Sequence, residues 1–246
     1  MLRAEVTCVV PARLGSTRFP RKLLQPLFGK PVVVHTLERA VEAGCFFEII
    51  CFTDSLEIGE AVAAHGFRFI LTGEAANGTD RISRNLDDVE TDLIVNLQGD
   101  EPAFPAQGLI RLCGELRQHP QWVHTLVHEH APSVADLENP NRVKAALDDN
   151  GFVLDFFRVP TVHANTTQRI HLGLYGYNKN FLRRYVATPV SQHETEMSHE
   201  LLRDLNIAPL RAHASPEGAP VDTPADLILA RERLQKLQAN ALQGVL

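Results

Sequence analysis

Short apolar runs alternate with amphipathic segments along the first part of the chain. Positions 6–10 and 47–52 are continuous apolar runs, which is typical of strands buried on both faces of a parallel sheet. Positions 31–43 lie between them and carry apolar residues at helical spacing, so the three segments predict one βαβ unit. The alternation continues with a predicted helix at 56–64, a strand at 68–71, a short helix at 81–86 and a strand at 93–97.

The second half of the chain follows a less regular pattern. Strands are predicted at 123–129, 143–147, 153–157 and 172–177, a hairpin turn at 148–151, and helices at 179–186 and 195–205. Thr223, Pro224 and Asp226 are typical of a helix start, and this last helix is predicted to reach about position 238. The pattern predicts an α/β fold with a Rossmann-like, doubly wound, mainly parallel sheet. We expect a single domain over 1–246, with a small antiparallel arm at about 123–177.

Composition narrows the possible partners. A net charge of -6 argues against a nucleic-acid groove, which needs a basic face. The 4 cysteines form no CxxC pair and no zinc-like spacing with histidine, so reduced and mostly buried thiols are expected. The apolar run at 6–10 is too short for a signal peptide or a membrane span. We therefore expect a cytoplasmic protein that binds neither nucleic acid nor membrane.

The loop after the first predicted strand concentrates cations and small residues. Positions 11–22 read Pro-Ala-Arg-Leu-Gly-Ser-Thr-Arg-Phe-Pro-Arg-Lys. Backbone N–H groups around Gly15 can approach phosphate oxygens, while Arg13 and Lys22 can donate charge-assisted hydrogen bonds to them. Because the loop has neither a Walker A motif nor a GxGxxG fingerprint, a phosphate cradle and a solvated basic loop both stay open.

Two aspartates are candidate metal ligands. Asp100 follows the predicted strand at 93–97, where an α/β sheet presents groups to its ligand crevice. Asp222 precedes the predicted start of the last helix. Magnesium needs few protein carboxylates when substrate phosphates supply further oxygens, so this pair would suffice. The alternatives are an ordinary turn carboxylate for Asp100 and a helix-capping role for Asp222.

Several blocks of the chain, in order, resemble the 3-deoxy-manno-octulosonate cytidylyltransferase family, also called CMP-Kdo synthetase. The resemblance runs from about 10 to about 229. Its most specific blocks are 11–20 (PARLGSTRFP), 29–31 (GKP), 77–81 (NGTDR), 96–102 (NLQGDEP), 139–141 (NPN) with 143–144 (VK), 171–177 (HLGLYGY) and 221–224 (VDTP).

This resemblance implies a nucleotide-diphospho-sugar transferase fold and a homodimer. It implies that the anomeric hydroxyl of 3-deoxy-manno-octulosonate attacks the α-phosphorus of CTP, giving pyrophosphate and a CMP-sugar for lipopolysaccharide or capsule synthesis. Catalytic roles fall on Arg13, Lys22 and Asp100, and Mg²⁺ binding falls on Asp100 and Asp222. The residues expected to bind CTP are Pro11, Ala12, Arg13, Gly15, Ser16, Lys22, Asn77, Gly78, Thr79 and Arg81. Those expected to bind the 2-keto-3-deoxy sugar acid are Gln98, Arg158, His171 and Glu200.

Departures from the family pattern fall on the sugar side. Phe157 stands where the family has serine, the stretch from Arg158 to His171 is short, and Leu201 replaces a glutamine. An apolar substitution in a hydrogen-bonding site favours substrates with altered hydroxyls. Three hypotheses therefore stay open: the usual Kdo activity, the same chemistry on a modified or different 3-deoxy-ulosonic acid, and a CTP- or CMP-sugar-binding paralogue without turnover.

Overall fold

A mixed sheet forms the centre of the structure, which is a computed structural model that describes residues 5–159, 166–197, 200, 203 and 205–243. Over these residues the sheet has 9 strands, in the order β11-β7-β10-β6-β1-β4-β5, with β8 on β10 and β9 on β8. The strands are β1 Val6–Ala12, β2 Pro26–Leu27, β3 Lys30–Pro31, β4 Glu48–Thr53, β5 Arg68–Leu71, β6 Leu93–Asn96, β7 Val123–His128, β8 Lys144–Leu147, β9 Val153–Phe157, β10 Thr167–Asn178 and β11 Leu210–Ser215. Strands β2 and β3 form a separate small antiparallel hairpin.

Helices cover the sheet, and two short 3₁₀ turns, Lys22–Leu24 and Leu86–Asp88, join its elements. The helices are α1 Val32–Ala43, α2 Leu56–Ala63, α3 Gly78–Ser83, α4 Ala106–Gln118, α5 Val134–Glu138, α6 Lys179–Ala187, α7 Gln192–Met197 and α8 Pro224–Gln243. Within the described residues, every helix is too short or too polar to cross a membrane.

Strand β1 shows why the first half folds as predicted. Successive side chains of a strand point to opposite faces, and those of β1 enter two different cores. Cys8 and Val10 pack in one core with α1 and α4, whereas Val9 packs in the other with residues of α3 and α6. Strand β1 runs parallel to β4 and β6, and β4 runs parallel to β5. Burial on both faces thus accounts for the continuous apolar runs, and the α/β prediction is confirmed.

The second half departs from a purely parallel sheet. Strand β10 lies between β6 and β7 and is antiparallel to both, while β7 and β11 are parallel. Beyond a register shift between His171 and Tyr175, the other end of β10 pairs with β8. Strands β8 and β9 therefore branch from the main sheet. Strand β7, which lies within the arm predicted at about 123–177, belongs to the main sheet instead.

Several observed element boundaries differ from the predicted ones, and several elements were not predicted. The helix predicted at 81–86 begins earlier, at Gly78, because the Asn77 side chain accepts from Asp80 N at 2.7 Å and caps it. The last helix is capped by Thr223 as predicted but extends to Gln243. The elements without a sequence prediction are strands β2, β3 and β11 and helices α4 and α5. Part of the helix predicted at 195–205 lies outside the described residues.

The carboxyl ends of β1 and β6 lie side by side, and two glycines let neighbouring segments approach them. A Cβ at Gly99 would lie 2.9 Å from Pro11 O, closer than real side chains come. A Cβ at Gly78 would lie 3.0 Å from Pro11 Cγ and 3.3 Å from Gln98 Nε2. The absence of side chains at these positions allows the turns after β1 and β6 to meet the start of α3.

We expect Gly99→Ala to lower the free energy of unfolding by about 1–3 kcal/mol, because the new Cβ displaces a strand end rather than a flexible side chain. Gly15→Ala is the control, since a Cβ there meets nothing within 4 Å. It should change stability by less than about 0.5 kcal/mol. Urea unfolding of both variants measures the difference, and equal stabilities would contradict the close approach at Gly99.

Candidate active site

One lysine joins two carboxylates at the crevice where β1 and β6 end. Lys22 Nζ donates to Asp100 Oδ2 at 2.5 Å and to Asp222 Oδ1 at 2.8 Å. The lysine side chain is 13% exposed, against 25% for Asp100 and 40% for Asp222. The structure thus brings together the predicted phosphate-binding lysine and both predicted metal ligands.

Backbone contacts fix this arrangement. Val221 N donates to Asp100 O at 2.8 Å, so the segment before α8 is bonded to the turn after β6. Thr36, on α1, donates from its hydroxyl to Gly99 O at 2.9 Å. Asp226 Oδ2 accepts from the backbone N–H of Asp222 at 3.1 Å. Because the helix cap uses Thr223 and Asp226, the carboxylate of Asp222 remains directed at Lys22.

The charges of the cluster stabilise one another. Arg18 Nη2 lies 3.0 Å from Asp222 Oδ2. Burial raises the pKa of Asp222, but Lys22 and Arg18 outweigh this and hold that pKa below its usual value. Burial likewise lowers the pKa of Lys22, and the carboxylates Asp100 and Asp222 reverse it to a net increase. Both groups are therefore charged at neutral pH.

Glu101 is the buried neighbour of this cluster. It is 6% exposed, and within the described residues its Oε2 is a buried atom without a hydrogen-bond partner. Burial, with Asp100, Glu217 and Asp222 adding negative charge, raises the pKa of Glu101 well above its usual value. The carboxyl group is thus favoured in its neutral form beside the ionised Asp222.

A cavity of about 220 Å³ opens on one side of Asp100. Among the residues predicted to bind CTP, its lining includes Pro11, Ala12, Arg13, Lys22, Asn77, Gly78 and Arg81. Gly15 and Ser16 lie further along the loop and do not line this cavity, and Thr79 is buried behind the wall. The two predicted nucleotide segments, 11–22 and 77–81, therefore face each other across one cavity.

Arg81 binds the protein itself at the edge of this cavity. Its Nη2 lies 2.7 Å from Asp54 Oδ2, and its Nη1 donates to Gly73 O at 3.1 Å and to the hydroxyl of Thr72. The side chain is 3% exposed. These bonds hold α3 against the turns after β4 and β5.

A directed chain of hydrogen bonds connects the turn after β6 to Glu200. Gln98 Nε2 donates to Asn96 Oδ1 at 3.0 Å, and Asn96 Nδ2 donates to Tyr177 Oη at 2.8 Å. The hydroxyl of Thr79 lies 3.2 Å from that of Tyr177 and donates to Glu200 Oε1 at 2.5 Å. Burial raises the pKa of Glu200 to about 7. The chain ends on a carboxyl group that is partly protonated at neutral pH.

A second buried group supports the same wall. Arg203 forms two bonds to the carboxylate of Glu194, at 2.9 and 2.7 Å, and its guanidinium lies 4.3 Å from the ring centroid of Tyr185. The hydroxyl of Tyr185 accepts from Asn77 Nδ2 at 3.2 Å. The start of α3 is thereby anchored to the segment that carries Glu200.

A larger cavity of about 910 Å³ opens on the other side of Asp100. It shares Gln98, Asp100 and Glu200 with the smaller one. Its other predicted residues are Arg158, His171 and Asp222. Cationic side chains that also line it are Arg18, Arg142, Arg233 and Lys236. The larger cavity is therefore suited to a polar, anionic ligand next to Asp100.

Arg158 and His171 contribute to this cavity in different ways. Arg158 and Arg18 both line this cavity, and burial together with the nearby Arg18 lowers the pKa of Arg158. His171 Nε2 lies 2.8 Å from the hydroxyl of Thr125, which donates at 2.7 Å to Leu174 O. His171 must therefore be the donor in the first bond. Burial lowers the pKa of His171 to about 3, so the ring is neutral.

Lys144 holds the loop beneath Arg158. The lysine is fully buried, and its Nζ donates to Asn139 O at 2.7 Å and to Arg158 O at 2.8 Å. The Arg158 side chain also donates to Pro140 O at 3.1 Å. Through these two bonds, Lys144 holds the backbone of Arg158 next to that of Asn139.

The structure corrects one sequence argument about the sugar side. Phe157 is 2% exposed and does not line the larger cavity, whereas the next residue, Arg158, does. Leu201, the other apolar substitution, lies outside the described residues. Phe157 therefore gives no support to a more apolar sugar pocket.

Sequence reasoning missed several residues that the cavities contain. Arg18 was counted only as a loop cation, although it binds Asp222. Arg142 lines the larger cavity while bonded to Glu217 at 2.5 Å, and Glu101 lies beside Asp100. Of these, Glu101 and Arg18 lie inside the quoted motifs. The available signals were therefore the position of Glu101 next to Asp100 and the place of Arg18 in the basic loop.

The site offers few protein ligands to a metal. Among the described residues, no group of three or more histidine, cysteine, aspartate or glutamate side chains is placed to hold a metal ion. Asp100 and Asp222 nevertheless present carboxylate oxygens to one cation, the Lys22 ammonium. Their donor chemistry fits a hard divalent cation that takes its remaining oxygens from a phosphate and water.

Comparisons with known proteins agree with this geometry. The family described as cytidylyltransferase matches residues 7–212. A 3-deoxy-manno-octulosonate cytidylyltransferase of Polynucleobacter necessarius is 36% identical over 247 residues, covering 95% of each chain. An 8-amino-3,8-dideoxy-manno-octulosonate cytidylyltransferase of Shewanella baltica is 33% identical, covering 93% of this chain and 98% of its own.

A solved structure extends the likeness to three dimensions. It is a CMP:2-keto-3-deoxy-manno-octonic acid synthetase complexed with CTP, and it is 33% identical with a TM-score of 0.85. The alignment covers 96% of this chain and 100% of that one. The fold, the paired cavities and these relatives lead to one conclusion: the chain belongs to the cytidylyltransferase family and is an enzyme of the CMP-Kdo synthetase type.

Proposed function

We propose that this enzyme transfers CMP from CTP to 3-deoxy-manno-octulosonate and releases pyrophosphate. The observation that carries the proposal is that the two cavities share Gln98, Asp100 and Glu200. A nucleotide in the smaller cavity and a sugar acid in the larger one would meet at Asp100. Holding two reactants in contact supplies much of the rate enhancement in such a transfer.

On the nucleotide side, we assign the phosphates to Arg13 and Lys22. Both line the smaller cavity, and Lys22 is a fully charged donor at its boundary. Asn77 and Gly78, at the start of α3, face them and would bind the cytidine portion. In this role Arg81, with its bonds to Asp54 and Gly73, positions α3.

On the sugar side, we assign the substrate carboxylate to the cationic region that Arg158 and Arg18 share. Two guanidinium groups near each other are favoured when an anion lies between them. Gln98 and Glu200 lie at the shared boundary and would bind sugar hydroxyls. His171 would contribute to the wall as a neutral ring whose orientation Thr125 fixes.

We propose Mg²⁺ as the cofactor, held by Asp100 and Asp222. The ion would neutralise negative charge on the phosphates during transfer. These carboxylates already converge on one positive charge, which supports the assignment. Lys22, which pairs with both carboxylates, is also the nearest donor for the phosphate oxygens that accompany the ion.

A second candidate substrate is the sugar acid with an amino group at carbon 8. The Shewanella baltica relatives that are 33% identical carry that specificity in their names. Acidic side chains, among them Glu217 and Glu232, line the larger cavity and could neutralise an ammonium group. Pyrophosphate release with CTP and each acid separates the two substrates.

We also propose a homodimer that works in the cytoplasm. Leu154, on β9, is a large apolar residue that is 55% exposed. An exposed apolar side chain of this kind suits contact with a second chain. The described cysteines are free thiols, as a reducing compartment favours.

Asp100→Asn should lower kcat by about 100-fold or more, because it removes charge that the reaction centre needs. The fold should persist, since the change leaves no cavity. Asp149→Asn, at an exposed turn, is the matched control and should keep full activity. Pyrophosphate release gives the rates, and normal turnover by Asp100→Asn would remove this residue from the reaction.

Arg158→Ala should raise KM for the sugar acid at least about tenfold and leave KM for CTP nearly unchanged, because the lost ion pair affects one substrate. Arg183→Ala, an exposed arginine on α6, serves as the control. Varying each substrate in turn measures both constants. A larger effect on CTP than on the sugar acid would contradict the assignment.

His171 should stay neutral between about pH 5 and about pH 8. Its folded pKa is about 3, below the ordinary 6.5, so acidification favours the unfolded chain, which takes up the proton first. Protonation of His171 in the unfolded chain therefore lowers the free energy of unfolding as pH falls from 6.5 towards 3. Nitrogen NMR of labelled histidines measures the titration, and a His171 signal that titrates near its ordinary pKa would contradict the buried, Thr125-bonded ring.

A further inference from the structure

Two of the cysteines lie together at a distance from the cavities. Cys45 Sγ and Cys113 Sγ are 3.2 Å apart, although 68 positions separate them in the chain. Cys45 follows Gly44, which ends α1, and Cys113 lies on the buried face of α4. Since α1 and α4 pack in the same core, the pair joins two helices on one face of the sheet.

The two thiols differ in reactivity. Cys45 is partly exposed, whereas Cys113 is buried. The hydrogen bond with Cys113 and the nearby Arg117 lower the pKa of Cys45. The same hydrogen bond and burial raise the pKa of Cys113. Of the two, Cys45 is thus the thiol that solvent can reach and that ionises more readily.

The other two cysteines are a contrasting pair. Cys8 and Cys51 are fully buried, and burial raises the pKa of both thiols, to about 12 for Cys51. Buried, protonated thiols react slowly with oxidants. Oxidation should therefore be selective within one chain.

We propose that Cys45 and Cys113 are a reversible redox site that reacts with small disulfides such as oxidised glutathione. The Cys45 thiolate attacks one sulfur of the glutathione disulfide, which forms a mixed disulfide and releases one glutathione thiolate. Cys113 then attacks Cys45 Sγ and releases the second glutathione, and the Cys113 proton passes to a departing thiolate. The protein loses two electrons and the glutathione disulfide gains them.

The resulting bond would cross-link the supports of the active site. Thr36, on α1, bonds to Gly99 O, and the turn that contains Asp100 leads through Pro105 into α4. A bond between these helices closes a long loop and restricts the unfolded chain. The oxidised protein should therefore melt at a higher temperature than the reduced protein.

The test treats the full-length wild-type chain with oxidised glutathione, then denatures it in N-ethylmaleimide. Of the 4 cysteines, Cys45 and Cys113 should escape alkylation, and dithiothreitol should restore both. The protein is digested with one protease that cleaves after lysine and arginine and a second that cleaves after glutamate. This separates Cys45 from Cys51, because Glu48 lies between them. Mass spectrometry should then show the Cys45 peptide linked to the Cys113 peptide.

Two variants sharpen the test. Cys113→Ser should retain glutathione on Cys45, because no second thiol resolves the mixed disulfide. Cys51→Ser is the matched control and should still form the cross-link. The proposal is overturned by alkylation of all thiols in the treated wild type, by a cross-link to Cys8, by a persistent glutathione adduct on the wild type, or by an oxidised form that melts no higher than the reduced form.

Discussion

The attraction between Lys22 and the pair Asp100 and Asp222 is the interaction on which the site depends. Two partly buried carboxylates repel each other unless a cation lies between them. Lys22 supplies that cation at 2.5 and 2.8 Å, and so ties the loop after β1 to the turn after β6 and to the start of α8. A triphosphate would compete for Lys22, and the two carboxylates would then need another positive charge. The proposed divalent cation follows from this balance of charge.

The residues at the boundary between the two cavities are held in place by hydrogen bonds. Gln98 and Glu200 line both cavities, and the chain of hydrogen bonds through Asn96, Tyr177 and Thr79 connects them behind the wall. Each buried donor in that chain would be costly to leave unpaired, which favours one arrangement. A substrate on either side thus meets groups whose positions the protein core already sets.

Much of the fold was predictable because the spacing of apolar residues along the chain indicates which positions are buried. Strand β1 was found from a run of apolar residues, and Asp100 from its place at a strand end. The contact between Asp100 and Asp222 was not derivable from spacing, since the two residues are 122 positions apart in the chain. Helix α4 was missed although Leu109, Leu112 and Leu116 recur at helical spacing, because turn-like residues precede it. The antiparallel β10 was predicted as a strand, but no local signal gives its direction.

The error at Phe157 shows where pattern comparison fails. Adjacent residues of a strand point to opposite faces, and Phe156 and Phe157 are both buried because both faces of β9 are covered at its carboxyl end. A serine-to-phenylalanine difference in a sugar-side motif therefore looks like a change of pocket, although the side chain belongs to the packing. If the larger cavity holds the sugar acid as proposed, substrate choice depends instead on the polar groups that line it. Among those described, Arg18 and Arg158 supply positive charge, and the buried Glu101 supplies a carboxyl group that is favoured in its neutral form. Under the proposed assignment, a substrate is therefore selected by where it carries its carboxylate and its hydrogen-bond donors.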